Sequence, residues 1–387
     1  MSVATAPSSG SFELIESRTA FLALIEESRA EPVVGLDTEA ASFHRYRDRV
    51  YLLQLSSPTR TAVVDPLAVG GLDPLADWLA SPATEFVFHD ADYDVRLLHR
   101  EFGLRVARLF DTRVAAQFLN LPSIGLAGLL ATRFGVATDK KWQRADWSAR
   151  PLTGEMVAYA ATDTRYLPQL RDALRAELIA AGRLSWVEEE CQLARVAEWP
   201  PSPPPEAGFV RLRGARELDR RELAVLRELF AWRERTAERL DRALFRILGN
   251  ETLLVLAQQR PGTQDALEQI RGVGRENAQR RGNEILEAIR RGLAVPDADL
   301  PRFERRPRHR ADPIVEVRLD RLRHWRVGLA ARIGLPSGLL APNATLEAVA
   351  RRFPGNVTEL EAISGVRRWQ ASEFGAELLA AMVDPSG

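Results

Sequence analysis

Two stretches of the chain keep a single register. Trp232 and Trp325 stand 93 residues apart, and the same ungapped offset relates Arg239 to Arg332, Asn250 to Asn343, Thr252 to Thr345 and Leu253 to Leu346. It continues through Ala257 and Ala350, Pro261 and Pro354, Gly262 and Gly355, Leu267 and Leu360, Ile270 and Ile363, Gly272 and Gly365, and Leu286 and Leu379. A fixed period of this kind means one folding unit used twice, each copy long enough to bury a small core of its own. Strand signals nearly vanish after Pro205, so both copies are expected to be all-helical.

Ahead of the repeat lies a proline-dense run, Pro200, Pro201, Ser202, Pro203, Pro204 and Pro205, which cannot continue a helix and favours an extended spacer. A second polar stretch, rich in Arg and Pro, runs from about Pro296 to Pro313 between the copies. These breaks predict a first domain at 11–198, a linker at 199–212, a helical domain at 213–295, a linker at 296–312 and a second helical domain at 313–384. In the first domain, Pro32 to Asp37, Tyr51 to Leu55, Ala62 to Asp65 and Glu85 to His89 are short apolar runs that suit strands. Helical patterns cover Phe21 to Ser28, Leu72 to Leu79, Asp92 to Phe102 and Glu155 to Ala181, so this domain is expected to be α/β.

Charge does not identify a partner. Fifty-three basic residues balance 53 acidic ones, so no global positive field draws the chain to nucleic acid. Lysine occurs only at Lys140 and Lys141; the remaining basic residues are arginines, which suit phosphates but also follow from a biased composition. The single Cys191 excludes an intramolecular disulfide, Met1 to Gly10 lacks a signal-peptide pattern, and the reducing cytoplasm is the expected compartment. No apolar stretch approaches the ~20 residues a membrane span needs. Five histidines and one cysteine show no paired zinc-binding spacing, and no phosphate-cradling G-x-x-x-x-G-K-[ST] loop is present.

Three segments carry chemistry. Asp37-Thr38-Glu39 ends an apolar strand, and because strand side chains alternate, Asp37 and Glu39 project to one side. Such a pair suits a metal site, and equally a turn with two solvated acids. Tyr159 and Asp163 lie four apart on a helix, which puts phenol and carboxylate on one face. In His89-Asp90-Ala91-Asp92-Tyr93-Asp94 the acids suit a helix N-terminus. Asp94, however, shares the core-facing side with Leu97 and Leu98, where a carboxylate needs a partner such as a cation; Asp90 can share that face, and Asp94 is the favoured candidate.

In that order, Asp-x-Glu, Asp, Tyr-x-x-x-Asp, the segments resemble the tyrosine branch of the DEDD exonuclease superfamily. Leu53-Gln54-Leu55, Asp139-Lys140, Asp146-Trp147 and Arg150-Pro151-Leu152 add a resemblance to the ribonuclease D family, and both repeat copies resemble the helical HRDC module. The resemblance implies a ribonuclease H-like α/β domain with a mixed sheet followed by two all-α HRDC-like domains. It implies Asp37, Glu39, Asp94 and Asp163 as metal ligands and Tyr159 as the residue that positions or helps deprotonate the attacking water. Four anions in one cleft call for cations, and hard oxygen donors select Mg²⁺ or Mn²⁺. Two ions ~3.5–4 Å apart would activate water on one side of the phosphate and stabilise the leaving 3′ oxygen on the other, releasing a nucleoside 5′-monophosphate.

The implied substrate is RNA with a free 3′ end, transfer-RNA precursors or other structured RNA among them, handled by a monomer. Phe43, Gln54, Lys140 and Lys141 are candidate substrate contacts; the first two also suit a core ring and a strand amide, and the lysines a solvated loop. The turn Ile270-Arg271-Gly272-Val273-Gly274-Arg275 suits a backbone approach to phosphate, whereas Ser364-Gly365-Val366-Arg367-Arg368 keeps one glycine and suits packing or arginine-based binding. A DNA exonuclease and a catalytically silent nucleic-acid scaffold are the alternatives. The scaffold gives no reason to gather mutually repelling acids.

Overall fold

A computed structural model of the chain describes residues 12–138, 140–199, 208–303 and 312–383, with the side chain of Lys140 outside that description. The proline run from 200 onward, Asp139, the 304–311 part of the second expected linker and the outer ends of the first and last expected domains therefore lie outside the described residues.

Six strands build one mixed sheet: β1 (Phe12–Ile15), β2 (Val33–Glu39), β3 (Leu52–Ser56), β4 (Thr61–Val64), β5 (Glu85–Phe88) and β6 (Leu109–Asp111), in the order β1-β4-β3-β2-β5-β6. β3 runs antiparallel to β2 and β4, and the other pairings are parallel. Four strands fall on the four apolar runs read from sequence. The other two, β1 and β6, are the short edge strands, where few apolar residues are required.

Helices α1 (Arg18–Ser28), α2 (Ala76–Leu79), α3 (Asp92–Phe102), α4 (Thr112–Phe118), α5 (Leu126–Phe134), α6 (Gly154–Arg165), α7 (Leu167–Ala180) and α8 (Leu184–Ala194) complete this domain. The pattern from Glu155 to Ala181, read as one helix, is two. Pro168 has no N–H to return to the carbonyl of Thr164 and its ring disfavours helical backbone before it, so the chain bends at Tyr166. That bend presses the Thr164 carbonyl onto β2 at Gly35, where a Cβ would lie 2.8 Å from the oxygen. Only glycine allows so close an approach.

Among the described residues no strand follows Asp111, and the repeat folds as two sets of five helices in the same order. The first set is Arg220–Leu240, Leu244–Ile247, Asn250–Gln259, Gln264–Glu268 and Gly274–Ala294; the second is Pro313–Ile333, Ser337–Leu340, Asn343–Arg352, Val357–Glu361 and Arg368–Met382. Contacts repeat at the same offset. Arg233 donates to the Leu248 carbonyl at 3.1 Å and Arg326 to that of Ala341 at 2.6 Å. Arg239 pairs with Glu284 at 3.6 Å and Arg332 with Glu377 at 2.6 Å. Gly272 (φ 93°) and Gly365 (φ 91°) both turn left-handed against Thr252 and Thr345. The first module's core takes in Phe209 and, half-buried, Phe303, so its contacts extend into both stretches read as linkers.

The two modules dock differently. The first meets the loop after β2, where Tyr46 donates to Glu234 at 3.0 Å and Arg47 pairs with Glu238. The second packs on α4 and α8: Trp369 stacks on Trp186 with ring centroids 4.7 Å apart, and its edge meets Phe118. Glu189 accepts from the backbone N–H groups of Arg368 (2.8 Å) and Trp369 (2.9 Å), and Arg367 pairs with Glu190 at 2.8 Å. The start of the last helix is thus engaged by the first domain. No helix among the described residues is long and apolar enough to cross a membrane.

Candidate active site

β2 runs past its pairing with β5 while still paired with β3, and there carries Asp37 and Glu39, both half-buried on one side, with Thr38 buried on the other. The alternation expected from sequence is thereby observed. α6 starts at an N-cap, where the Thr153 hydroxyl accepts from the Met156 N–H, and then crosses β2 and β3. A 2.7 Å hydrogen bond between Thr164 and Ser56 of β3 holds it there. The close approach at Gly35 brings Asp163 over the strand end, so that carboxylate oxygens of Asp37, Glu39 and Asp163 all lie within 4.8 Å of one another.

Asp94 reaches the cluster from α3. It is buried beside Leu97 and Leu98, accepts a hydrogen bond from the Thr38 hydroxyl and lies outside the tight trio, though close enough for the Asp37 charge to act on it. Its neighbours face elsewhere: Asp90 pairs with Arg113 at 3.2 Å and Asp92 with Arg96 at 2.8 Å. The start of α3 is held by Asp111, whose carboxylate accepts from the N–H groups of Asp90 (3.1 Å), Ala91 (2.8 Å), Arg113 (2.8 Å) and Val114 (3.2 Å).

Burial dominates the electrostatics. It pushes the Asp37 carboxyl up to about 8, helped by the Asp163 charge and opposed by the Thr38 N–H, and raises Asp163 to about 7. Glu39 is raised by burial and by the charges of Asp37, Asp163 and Asp94. Asp94 is raised by burial and the Asp37 charge, against the stabilising Thr38 hydroxyl. Among the described residues none of the four carboxylates has an arginine, lysine or histidine ion-pair partner. Uncompensated anions held this close fit a bound divalent cation, and the all-oxygen donor set suits a hard one.

Tyr159 sits one turn before Asp163 on α6, and its ring stacks on Trp147 with centroids 6.1 Å apart and planes 25° from parallel. Trp147 is buried, and its segment is tied down by Arg150, which pairs with Asp65 at 2.6 Å and donates to the Tyr51 carbonyl at 3.0 Å. Of the candidate substrate contacts, Phe43 is exposed on the loop after β2. Lys141 is exposed, pairs with Glu155 at 3.5 Å and lies over Trp142. Gln54 pairs in register with Asp37, which puts its side chain on the same face of the sheet; it is fully buried, and among the described residues its amide group has no hydrogen-bond partner. Sequence reasoning missed Thr38 and Asp111, whose hydrogen bonds cross between elements distant in the chain. It met Trp147 only through resemblance.

Comparisons with known proteins agree with this geometry. A family model described as a 3′-5′ exonuclease matches residues 12–179, and one described as the HRDC domain matches residues 222–289 and 315–382. The chain is 35% identical to the ribonuclease D of Acidiphilium cryptum over 95% of its own length and 92% of the relative's. It is 39% identical to that of Gluconacetobacter diazotrophicus, covering 76% of this chain and 75% of the relative. The crystal structure of Escherichia coli RNase D, described as an exoribonuclease involved in structured RNA processing, superposes with a TM-score of 0.70 at 26% identity, covering 96% of this chain and 98% of that one.

Proposed function

The chain belongs to the ribonuclease D family of 3′→5′ exonucleases, and we propose that it shortens RNA from a free 3′ end, releasing nucleoside 5′-monophosphates. The observation that carries this reading is the gathering of Asp37, Glu39 and Asp163 within 4.8 Å, without basic partners among the described residues, one helical turn from Tyr159. Asp37, Glu39 and Asp163 would hold a divalent cation, Mg²⁺ or Mn²⁺, with Asp94 completing the donor set for a pair. Bound there, such ions supply Lewis-acid neutralisation of the phosphodiester and lower the pKa of water.

The chain's own residues do the rest. The Tyr159 phenol, braced by Trp147, orients the attacking water by hydrogen bonding in line with the scissile bond. Thr38 holds the Asp94 carboxylate in one rotamer, and Asp111 fixes the helix start that aims it. Phe43, Gln54, Lys140 and Lys141 remain the proposed contacts for the terminal nucleotides. Transfer-RNA precursors and other structured RNAs with 3′ extensions are the proposed substrates, in a reducing cytoplasm. Docking of both modules on their own catalytic domain supports a monomeric enzyme.

Asp163→Asn tests the site. Turnover should fall by at least ~100-fold, more than loss of an outer-shell partner costs at a metal site, while the melting temperature and RNA affinity stay near wild type. Unchanged turnover would remove Asp163 from the chemistry.

A further inference from the structure

Two large rings stand in water beside the cleft. Phe43 is 42% exposed and Phe245, on the short helix Leu244–Ile247 of the first module, is 57% exposed. They meet edge to face, with centroids 6.4 Å apart, although one belongs to the catalytic domain and the other to the helical module. The Arg144 guanidinium lies 5.2 Å from the Phe43 centroid and that of Arg246 lies 5.9 Å from the Phe245 centroid. Among the described residues neither arginine has a carboxylate ion-pair partner. The nearby acids are engaged elsewhere: Asp146 with Ser148 and His44, Glu234 with Tyr46, Glu238 with Arg47, and Asp241 with Arg45.

This junction is tied from three sides. Arg246 Nε donates to the Phe43 carbonyl at 2.6 Å, and its Nη2 meets His44 Nδ1 at 3.0 Å. The Ala243 N–H donates to the His44 carbonyl at 3.2 Å, and His44 Nε2 lies 3.0 Å from the Arg144 carbonyl. Phe43 follows Glu39 by four residues, so its Cα lies at most ~14 Å from that ligand. The second module does not repeat the arrangement. At the 93-residue offset, Phe245 and Arg246 correspond to Gly338 and Leu339, which line a 200 Å³ cavity against Val114 and Phe118 of the catalytic domain.

Exposed rings interleaved with guanidiniums suit unpaired bases, which stack on π faces while arginines meet the phosphates. We propose that Phe43, Phe245, Arg144 and Arg246 form a composite stacking platform, completed only when the first module docks, for unpaired bases upstream of the nucleotide being removed. The proposal rests on the exoribonuclease reading and adds to it a second contact region for the RNA.

Fluorescence anisotropy of a labelled oligoadenylate of about twelve nucleotides, in an Asp163→Asn background that prevents cleavage, reads it directly. Phe245→Ala should raise Kd at least about fivefold, the lower end of what one lost base–ring stack costs. Phe245→Leu, which keeps apolar bulk without a π face, should lose as much, and Phe245→Trp should restore binding to within about twofold. Thermal melts that match across the set exclude unfolding. Equal affinity for Phe245→Ala, or rescue by leucine as complete as by tryptophan, overturns the platform. If the unsubstituted chain shortens RNA with Mg²⁺ or Mn²⁺ while Phe245→Ala binds normally, only the platform falls. If the unsubstituted chain neither binds nor shortens RNA, the exoribonuclease reading falls with it.

Discussion

Asp37 and Asp163 hold their protons toward neutral pH because burial opposes ionisation at both and the Asp163 charge adds to the rise at Asp37. In the unfolded chain both ionise near the ordinary carboxylate value, so through the acid-to-neutral range the metal-free folded state binds more protons than the unfolded one. Stability is therefore fully present below that ordinary value and is lost as pH rises through about 7 and 8. The metal-free melting temperature should drop by at least ~3 °C between about pH 5.5 and 8.5, and saturating Mg²⁺ should reverse the drop by binding only the folded state. A flat or rising profile would mean the carboxylates are not held together as described. Tyr159→Phe keeps the ring on Trp147 and removes only the hydroxyl. We expect kcat to fall about 10–100-fold with metal affinity unchanged by calorimetry; full activity would make Tyr159 a packing residue. Much at this scale was legible in sequence. Strand alternation paired Asp37 with Glu39, the Leu97–Leu98 face picked out Asp94 over Asp90 and Asp92, and helical spacing joined Tyr159 to Asp163. Thr38 was not legible, and of the roles of Asp111 only its N-cap of α4 has a local pattern; bonds to the distant start of α3 leave none.

Elements deliver these residues to one place through a few close approaches. The break between α6 and α7 shows how: a periodic pattern continues across Pro168, but the missing N–H and the ring bend the chain at Tyr166. The bend lets Asp163 lie over the end of β2, and Gly35 accepts the contact. Gly35→Ala would place a Cβ 2.8 Å from the Thr164 carbonyl and 3.0 Å from the Leu167 Cβ. α6 must then shift, and since a misplacement of about 1 Å at a catalytic group can cost ~100-fold, kcat should fall at least ~10-fold. Turnover equal to wild type would show that α6 can retreat without moving Asp163. Period alone reads Glu155 to Ala181 as one helix; β6, three residues long, is too short to register as an apolar run, and in β1 Glu13 interrupts one. The repeat was the easier part, since an offset held over many positions predicts the same helices and the same glycine turn twice.

At the scale of the whole molecule, two copies of one module carry different surfaces. The second packs Trp369 on Trp186 and gives the first backbone N–H groups of its last helix, those of Arg368 and Trp369, to Glu189. The first meets the loop after β2 through Glu234 and Glu238, while the turn glycines of both copies, Gly272 and Gly365, are exposed. Internal homology predicts a shared fold but not which face each copy buries, because main docking side chains differ between the copies: Glu234 and Glu238 correspond to Val327 and Ala331, and Trp369 to Glu276. The arginine-rich composition, undecided from sequence, divides between structural roles such as buried Arg233, bonded to the Leu248 carbonyl, and exposed ones such as Arg144. This assembly is proposed to remove nucleotides from RNA 3′ ends at a metal-dependent site. The most direct test is a time course of 5′-labelled RNA with an unstructured 3′ tail beside a matched DNA strand, with and without Mg²⁺ or Mn²⁺. A ladder shortening from the 3′ end of the RNA is expected only when metal is present, with DNA shortened slowly or not at all. Equal shortening of DNA would contradict the RNA assignment, and binding without shortening in either metal would contradict catalysis itself.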